Sequence, residues 1–239
     1  MNKIRHISVI GLTAVFIILV IESCSTARNT AATRWWQAFN SRYNTYYNGA
    51  VAYVDGSLEK ENGNQDNYTD FIPLYTVRNK NSKELGKANF DRAILKAEKV
   101  IDRHSIKQRP QWKSNRRKTD RDREWLSRKE YNPFMWKAWM LLGRSQFHEG
   151  NLDNAISTFA YMSMLYRTQP AIYSRAQAWL AKCYIENDLA YDAEDVIRNS
   201  RRDSIPWQAR KDWDLALADY YLLTHDYKSA IPYLRNVIR

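Results

Sequence analysis

Residues 139–159 read Trp139-Met140-Leu141-Leu142-Gly143-Arg144-Ser145-Gln146-Phe147-His148-Glu149-Gly150-Asn151-Leu152-Asp153-Asn154-Ala155-Ile156-Ser157-Thr158-Phe159, and this stretch decides the fold. Leu142 and Gly143 fall mid-helix, where a residue without a side chain lets a second helix come close. Gly150-Asn151 ends the first helix. Ala155 and Phe159 supply the small and large halves of the packing on the return helix. The set recurs along the chain. Leu180, Ala181, Ala193 and Ile197 repeat it at an offset of 38, and Leu217, Ala218, Ala230 and Leu234 repeat it again after a further 37. Self-similarity at a fixed period is the signature of stacked helix–turn–helix units.

The spacing resembles the tetratricopeptide repeat of ~34 residues, with slightly lengthened connections. The expected fold class is therefore all-α, a tetratricopeptide-like helical-hairpin solenoid behind an N-terminal signal peptide. In such an array the first helix of each pair lines the concave face. That places Lys137, Met140, Arg144, Phe147 and His148 there from the first repeat, and Arg175, Lys182, Ile185 and Glu186 from the second. Asp212, Leu215 and Asp219 follow from the third. The four cations of the first two repeats suit carboxylates on a peptide partner, or are ordinary surface charges at helical spacing. His148 and His225 each close a first helix, where a partly charged imidazole is favoured.

Hydrophobic residues make up 44% of the 239 residues and aromatics 13%, which excludes a disordered chain. Seven Gly and six Pro are too few for an all-β fold with many turns. The net charge of +11 points to acidic partners or anionic surfaces and says nothing about fold.

At the N-terminus, Lys3 and Arg5 precede an apolar run from Ile7 to Ile21, 15 residues long. That length fits a signal peptide and falls short of the ~20 residues a spanning helix needs. An uncleaved single-pass anchor is the alternative. Ile21-Glu22-Ser23-Cys24 resembles a bacterial lipobox, with Glu22 as a departure from its pattern. By that resemblance Cys24 becomes the lipidated first residue of the mature protein, held on a membrane by its acyl chains. Cys183 is then a lone thiol on a repeat helix and is expected to be a buried small hydrophobe. The small polar stretch after Cys24 reads as a tether. It lacks the acidic run that directs some bacterial lipoproteins to the cell surface, which favours an anchor facing the periplasm.

Trp35, Trp36, Phe39, Tyr43, Tyr46, Tyr47, Ala50 and Val54 recur at three- and four-residue steps, an amphipathic helix with an aromatic stripe. Such a stripe is expected to be core, with a docking face as the alternative. Its wording is more specific than its period. Arg42-Tyr43-Asn44-x-Tyr46-Tyr47-Asn48-Gly49, with Ala52-Tyr53 behind it, resembles the opening of the PorW/SprE family of Bacteroidetes. Those are periplasmic lipoproteins with tetratricopeptide repeats. The Asp70-Phe71-Ile72-Pro73 segment, the Ala93-x-x-x-Ala97 helix and the repeats extend the likeness over most of the chain. The resemblance implies an outer-membrane anchor facing the periplasm. It also implies a scaffolding role in type IX secretion and gliding motility, with translocon or periplasmic ring and motor subunits as partners. Members are usually longer, so the chain is expected to be truncated at its C-terminus. A helical lipoprotein of nutrient or glycan uptake is the alternative function.

Between the aromatic region and the repeats, residues 103–129 hold 11 Lys or Arg against Asp120, Asp122 and Glu124, a balance of 11 − 3 = +8. Lys113, Arg116, Arg117, Lys118, Arg121 and Arg123 form its basic surface, flanked by Trp112 and Trp125. Single-stranded nucleic acid would use that mixture, but a signal peptide makes such a partner scarce. Anionic lipid, lipopolysaccharide or an acidic protein fit better. The plainest reading is an insertion solvated by its own charges. No phosphate loop, His-x-x-x-His pair or nucleophile elbow occurs, and the four histidines are scattered. We therefore expect no enzyme, no cofactor and no metal. The expected division is signal peptide 1–23, anchor and tether 24–33, aromatic helical region 34–106, basic insertion 107–132 and three repeats over 133–239.

Overall fold

The computed structural model describes residues 26–69, 72–113, 115–200 and 204–238. The expected signal peptide, Cys24, Asp70 and Phe71 lie outside the described residues. Within them the regular structure is all-helical.

The stretch 139–159 folds as its residues dictate. Helices α5 (Met135–Glu149) and α6 (Leu152–Leu165) meet at Gly150, which sits at φ +95° and returns its N–H to the end of α5. The Asn151 side chain then accepts from the Asn154 N–H to start α6. A Cβ on Gly143 would lie 2.6 Å from the Phe159 ring, so the small residue is what lets the two helices close. Downstream, α7 (Pro170–Glu186), with proline in its first turn, pairs with α8 (Ala190–Asn199). Helices α9 (Arg210–Leu223) and α10 (Tyr227–Ile238) form the next hairpin. Helix α6 packs on α7, and α7 packs on α9, so each hairpin rests on the next. The repeat positions Gly143, Ala155, Phe159, Ala181, Ala193, Ala218 and Ala230 are all buried.

A further hairpin precedes these three. Helices α2 (Tyr47–Gly63) and α3 (Lys87–His104) pack together, and α3 packs on α5. They approach through small residues. A Cβ on Gly56 would stand 3.1 Å from the Gly86 carbonyl, and one on Gly49 would meet Lys96 Cβ at 2.9 Å.

Helix α1 (Ala31–Ser41) precedes α2 across a wide turn at Arg42–Tyr46. There Tyr43 is extended and Asn44 sits at φ 58°, so the helix read as continuous is broken. The expectation that its aromatic stripe is core is overturned. Trp35, Phe39, Tyr43, Tyr47 and Val54 are exposed, while Trp36, Tyr46 and Ala50 are half-buried. The buried side carries Thr33, Gln37 and Ser41 in α1 and Gly49, Ala52, Gly56 and Lys60 in α2. Close packing against α3 admits only small or hydrogen-bonded side chains there, which leaves the large rings outside.

The basic segment leaves α3 and returns to α5 over a buried polar base. Glu130 accepts from the backbone N–H groups of Ile106 (2.9 Å) and Asn132 (2.8 Å) and from the Ser105 hydroxyl. Asn132 donates to Ser41 Oγ and to the His104 carbonyl. His104 Nδ1 lies 2.6 Å from Gln37 Oε1. Each of these polar groups has a partner, as burial demands. Within the segment, Thr119 and Asp122 form a capping box that starts helix α4 (Asp120–Ser127). The span read as a basic insertion, residues 107–132, is in part a helix.

Candidate binding cleft

One helix from each hairpin, α2, α5, α7 and α9, faces a cleft of about 510 Å³. Tyr53, Val54 and Leu58 line it from α2, Arg144 and His148 from α5, Trp179 from α7, and Asp212 and Leu215 from α9. One end is filled by the chain itself. Residues 72–82, linking α2 to α3, run as a strap with short helical turns at Thr76–Arg78 and Lys80–Ser82. Asn64 Oδ1 closes its base, accepting from Asn79 (3.0 Å) and from the Ser82 hydroxyl.

Two strap side chains do most of the docking. The Tyr75 ring stands edge-on to Phe147 with centroids 5.2 Å apart. Its hydroxyl is buried with no hydrogen-bond partner, and burial first, then the nearby carboxylates, push its ionisation well up. Arg78 reaches α7 and the turn beyond it. Its Nε donates to Glu186 (3.1 Å), Nη1 to Asp188 (2.8 Å) and Nη2 to the Ile185 carbonyl. A planar guanidinium with its fork of N–H groups suits such multiple donation.

Behind the strap lies a layer of charge and aromatic rings. The Arg144 guanidinium sits 4.8 Å from the Tyr53 ring and 5.1 Å from the Trp179 ring, and it donates to the Tyr53 hydroxyl at 3.0 Å. Arg175 Nε and Trp179 Nε1 both donate to Asp212, at 2.9 and 3.0 Å. Lys182 is fully buried, with Nζ 4.1 Å from the Trp179 centroid and 4.0 Å from Asp212 Oδ1. Burial pulls its ammonium down to about 8, against the opposing pull of Asp212. Glu186 and Asp219 are buried together, and burial raises both carboxyls far above the usual range. Arg78 and Lys182 work against that rise at Asp219.

Of the four cations expected on this face, Arg144, Arg175 and Lys182 are committed to internal partners. The fourth, Lys137, is half-buried, with its Nζ 5.4 Å from the Phe134 ring. Met140, Phe147, Ile185 and Glu186 are buried. The expected partly charged His148 is instead held neutral, its imidazole pulled down to about 3 by burial and then by Arg144, Lys60 and Lys182. The C-terminus of α5 is served by Lys60, whose Nζ donates to the His148 carbonyl at 2.6 Å. Cys183 is buried, and burial raises its thiol.

The strap residues Tyr75 and Arg78 escaped sequence reasoning. A Leu74-Tyr75-x-Val77 run of large apolar residues in a polar loop was the available signal. Across the described residues no cluster of His, Cys, Asp or Glu is suited to a metal ion, and no helix is long and apolar enough to cross a membrane. The six basic-surface residues Lys113, Arg116, Arg117, Lys118, Arg121 and Arg123 are all exposed. Arg123 pairs with Asp120 at 2.7 Å, and Arg116 stacks over Trp112 at 4.9 Å. The sequence matches no protein-family model, and no curated protein matches it.

Proposed function

We propose that the stacked hairpins are a tetratricopeptide-like solenoid whose concave groove holds extended peptide segments of envelope proteins. The protein would be a scaffold rather than an enzyme, lipid-anchored through Cys24 in the outer membrane and facing the periplasm. One observation carries this reading. The groove already holds a segment of its own chain, extended at Tyr75 and turning through Thr76–Arg78, with an aromatic ring against Phe147 and an arginine on Glu186 and Asp188. A face that binds such a segment in cis has the chemistry to bind one in trans, and the unfilled remainder of the cleft provides the room. The resemblance to PorW/SprE supplies the class of partner, a type IX translocon subunit or a periplasmic ring or motor component.

The test is affinity purification of the full chain from cross-linked cells of origin, with the envelope fractionated. The expected outcome is recovery in the outer-membrane fraction together with a translocon or ring subunit. Val54→Glu with Leu58→Glu should release that subunit without unfolding the chain, since both side chains line the cleft and are exposed. Cytosolic recovery, or a partner held equally by the double variant, would overturn the reading.

A further inference from the structure

Two features far apart in sequence meet at one end of the molecule. The first is the aromatic ladder of α1 and the start of α2. Trp35, Phe39, Tyr43 and Tyr47 are 65%, 44%, 53% and 64% exposed. Trp35 stacks on Phe39 at 5.6 Å and Phe39 packs against Tyr43 at 4.6 Å, with Pro133, Phe134 and Lys137 flanking one side of the row. The second is the basic segment around α4. The Arg34 guanidinium lies 5.0 Å from the Trp125 ring, and Asn29 Nδ2 donates to the Gln108 carbonyl at 2.7 Å. The ladder's own surroundings share the sign of charge. Residues 26–50 contain Arg28, Arg34 and Arg42 and no Asp or Glu.

We propose that the α1 ladder and the basic segment around α4 together form a docking surface for an anionic lipid headgroup layer. Tryptophan and tyrosine favour the membrane–water interface, because an amphipathic ring can be half immersed there. Lysine and arginine beside them are attracted by a negative lipid surface. Helices of this kind lie in the interface plane rather than crossing it. An acidic protein would match the charge but gives no reason for a continuous row of large rings. A second copy would oppose basic segment to basic segment. The chain's path also favours a lipid surface. Helix α1 begins seven residues after Cys24, the proposed lipidated residue. Seven extended residues span at most about 25 Å, so a membrane held at Cys24 is always within reach of α1. The proposal rests on the reading that the N-terminus is membrane-held, and its test separates the two.

The full chain is reconstituted through its N-terminus into phosphatidylcholine vesicles with or without phosphatidylglycerol. Side-chain oxidation by hydroxyl radicals is then followed by mass spectrometry. Tyr191 and Trp207, 90% and 74% exposed and distant in sequence, serve as internal references. The expected result is an about tenfold fall in oxidation of Trp35, Phe39, Tyr43 and Tyr47 relative to the references when phosphatidylglycerol is present, reversed by high salt. The triple charge reversal Arg116→Glu, Arg117→Glu, Lys118→Glu alters only exposed side chains and should restore oxidation of the ladder. A chain that floats with both vesicle types while its ladder oxidises equally on each would overturn the docking surface and leave the anchor standing. Failure to float on either would overturn the anchor and with it the docking. Protection that grows with protein concentration in detergent, without vesicles, would assign the ladder to a second copy and also overturn the proposal.

Discussion

The hairpin α5–α6 and the pair α1–α2 use helical periodicity in opposite ways. In α5–α6 the periodic large residues point inward, and Phe159 fills the space that Gly143 leaves. In α1–α2 the periodic large residues point outward, and the helices pack through Thr33, Gln37, Ser41, Gly49, Ala52 and Gly56. A period of three to four residues identifies a face; it does not say whether that face is covered. What decides is the partner helix. Helix α5 meets helices that carry complementary small and large residues, whereas α2 comes closest to α3 at Gly49 and Gly56, where a Cβ would already meet Lys96 Cβ at 2.9 Å and the Gly86 carbonyl at 3.1 Å.

The largest expected effect tests that contrast directly. Phe159→Ala should destabilise the protein by about 3–5 kcal/mol, because it empties a fully buried ring site beside Gly143. Trp35→Ala should change stability by no more than about 0.5 kcal/mol, being a surface substitution away from any buried feature. Urea unfolding of both variants measures the difference. Comparable losses at the two sites would mean that the ladder is core after all.

Next in size is the close approach on the α2 side. Gly56→Val places side-chain atoms where even a Cβ stands 3.1 Å from the Gly86 carbonyl, the Asn89 Cβ and the Phe90 ring. Backbone cannot yield as a flexible side chain does, so a loss of about 1–3 kcal/mol in the same assay is expected. A neutral Gly56→Val would show that α2 and α3 do not pack through their small residues.

These contrasts explain what the sequence made legible. The three hairpins of 133–239 were readable because their turns are short and the offsets of 38 and 37 keep Gly, Ala and Phe positions in step. The hairpin α2–α3 has the same kind of packing but carries the strap between its helices, so no fixed spacing links it to the others. The cleft was legible as a face and not as a site. Lys182 looks like an exposed cation from its neighbours in sequence. Only the arrival of Tyr75 and Asp212 from distant segments buries it. The exposed ladder could not be read at all, because burial depends on α3, and nothing in residues 31–47 encodes what α3 presents.

The strap offers a test of comparable size. Arg78→Ala removes the cation that faces Glu186 and Asp188 and leaves the Ile185 carbonyl short of a donor. A loss of about 1–3 kcal/mol is expected from the unpaired buried groups. Limited proteolysis should then cut between Asn64 and Ser82 well before it reaches the α5–α6 turn. Equal cleavage rates in wild type and variant would mean that Arg78 does not hold the strap in place.

The smallest effect is a slope with pH, and its sign follows from which groups are displaced in which direction. Glu186 and Asp219 are raised in the fold, chiefly by burial, so between the ordinary carboxylate range near 4.5 and their raised values the folded state holds protons that the unfolded chain has lost. Stability must then fall as pH rises through that window. His148 acts oppositely. Pulled down to about 3 from 6.5, it makes stability rise with pH between those values and contributes no slope above 6.5. Lys182, lowered to about 8 from 10.5, adds stability with rising pH only above about 8. Between pH 6.5 and 8 the carboxyl pair therefore acts with little opposition from these groups. Asp219→Asn leaves Glu186 alone against Arg78 and removes one proton from the linkage. The wild type should lose up to about 1 kcal/mol per pH unit more than Asp219→Asn between the ordinary carboxylate range and about pH 7, the value to which Asp219 is raised, since one pKa unit corresponds to about 1.4 kcal/mol and the His148 slope is common to both proteins. Parallel unfolding curves for the two proteins would mean that Asp219 is ionised throughout, with Lys182 and Arg78 outweighing its burial.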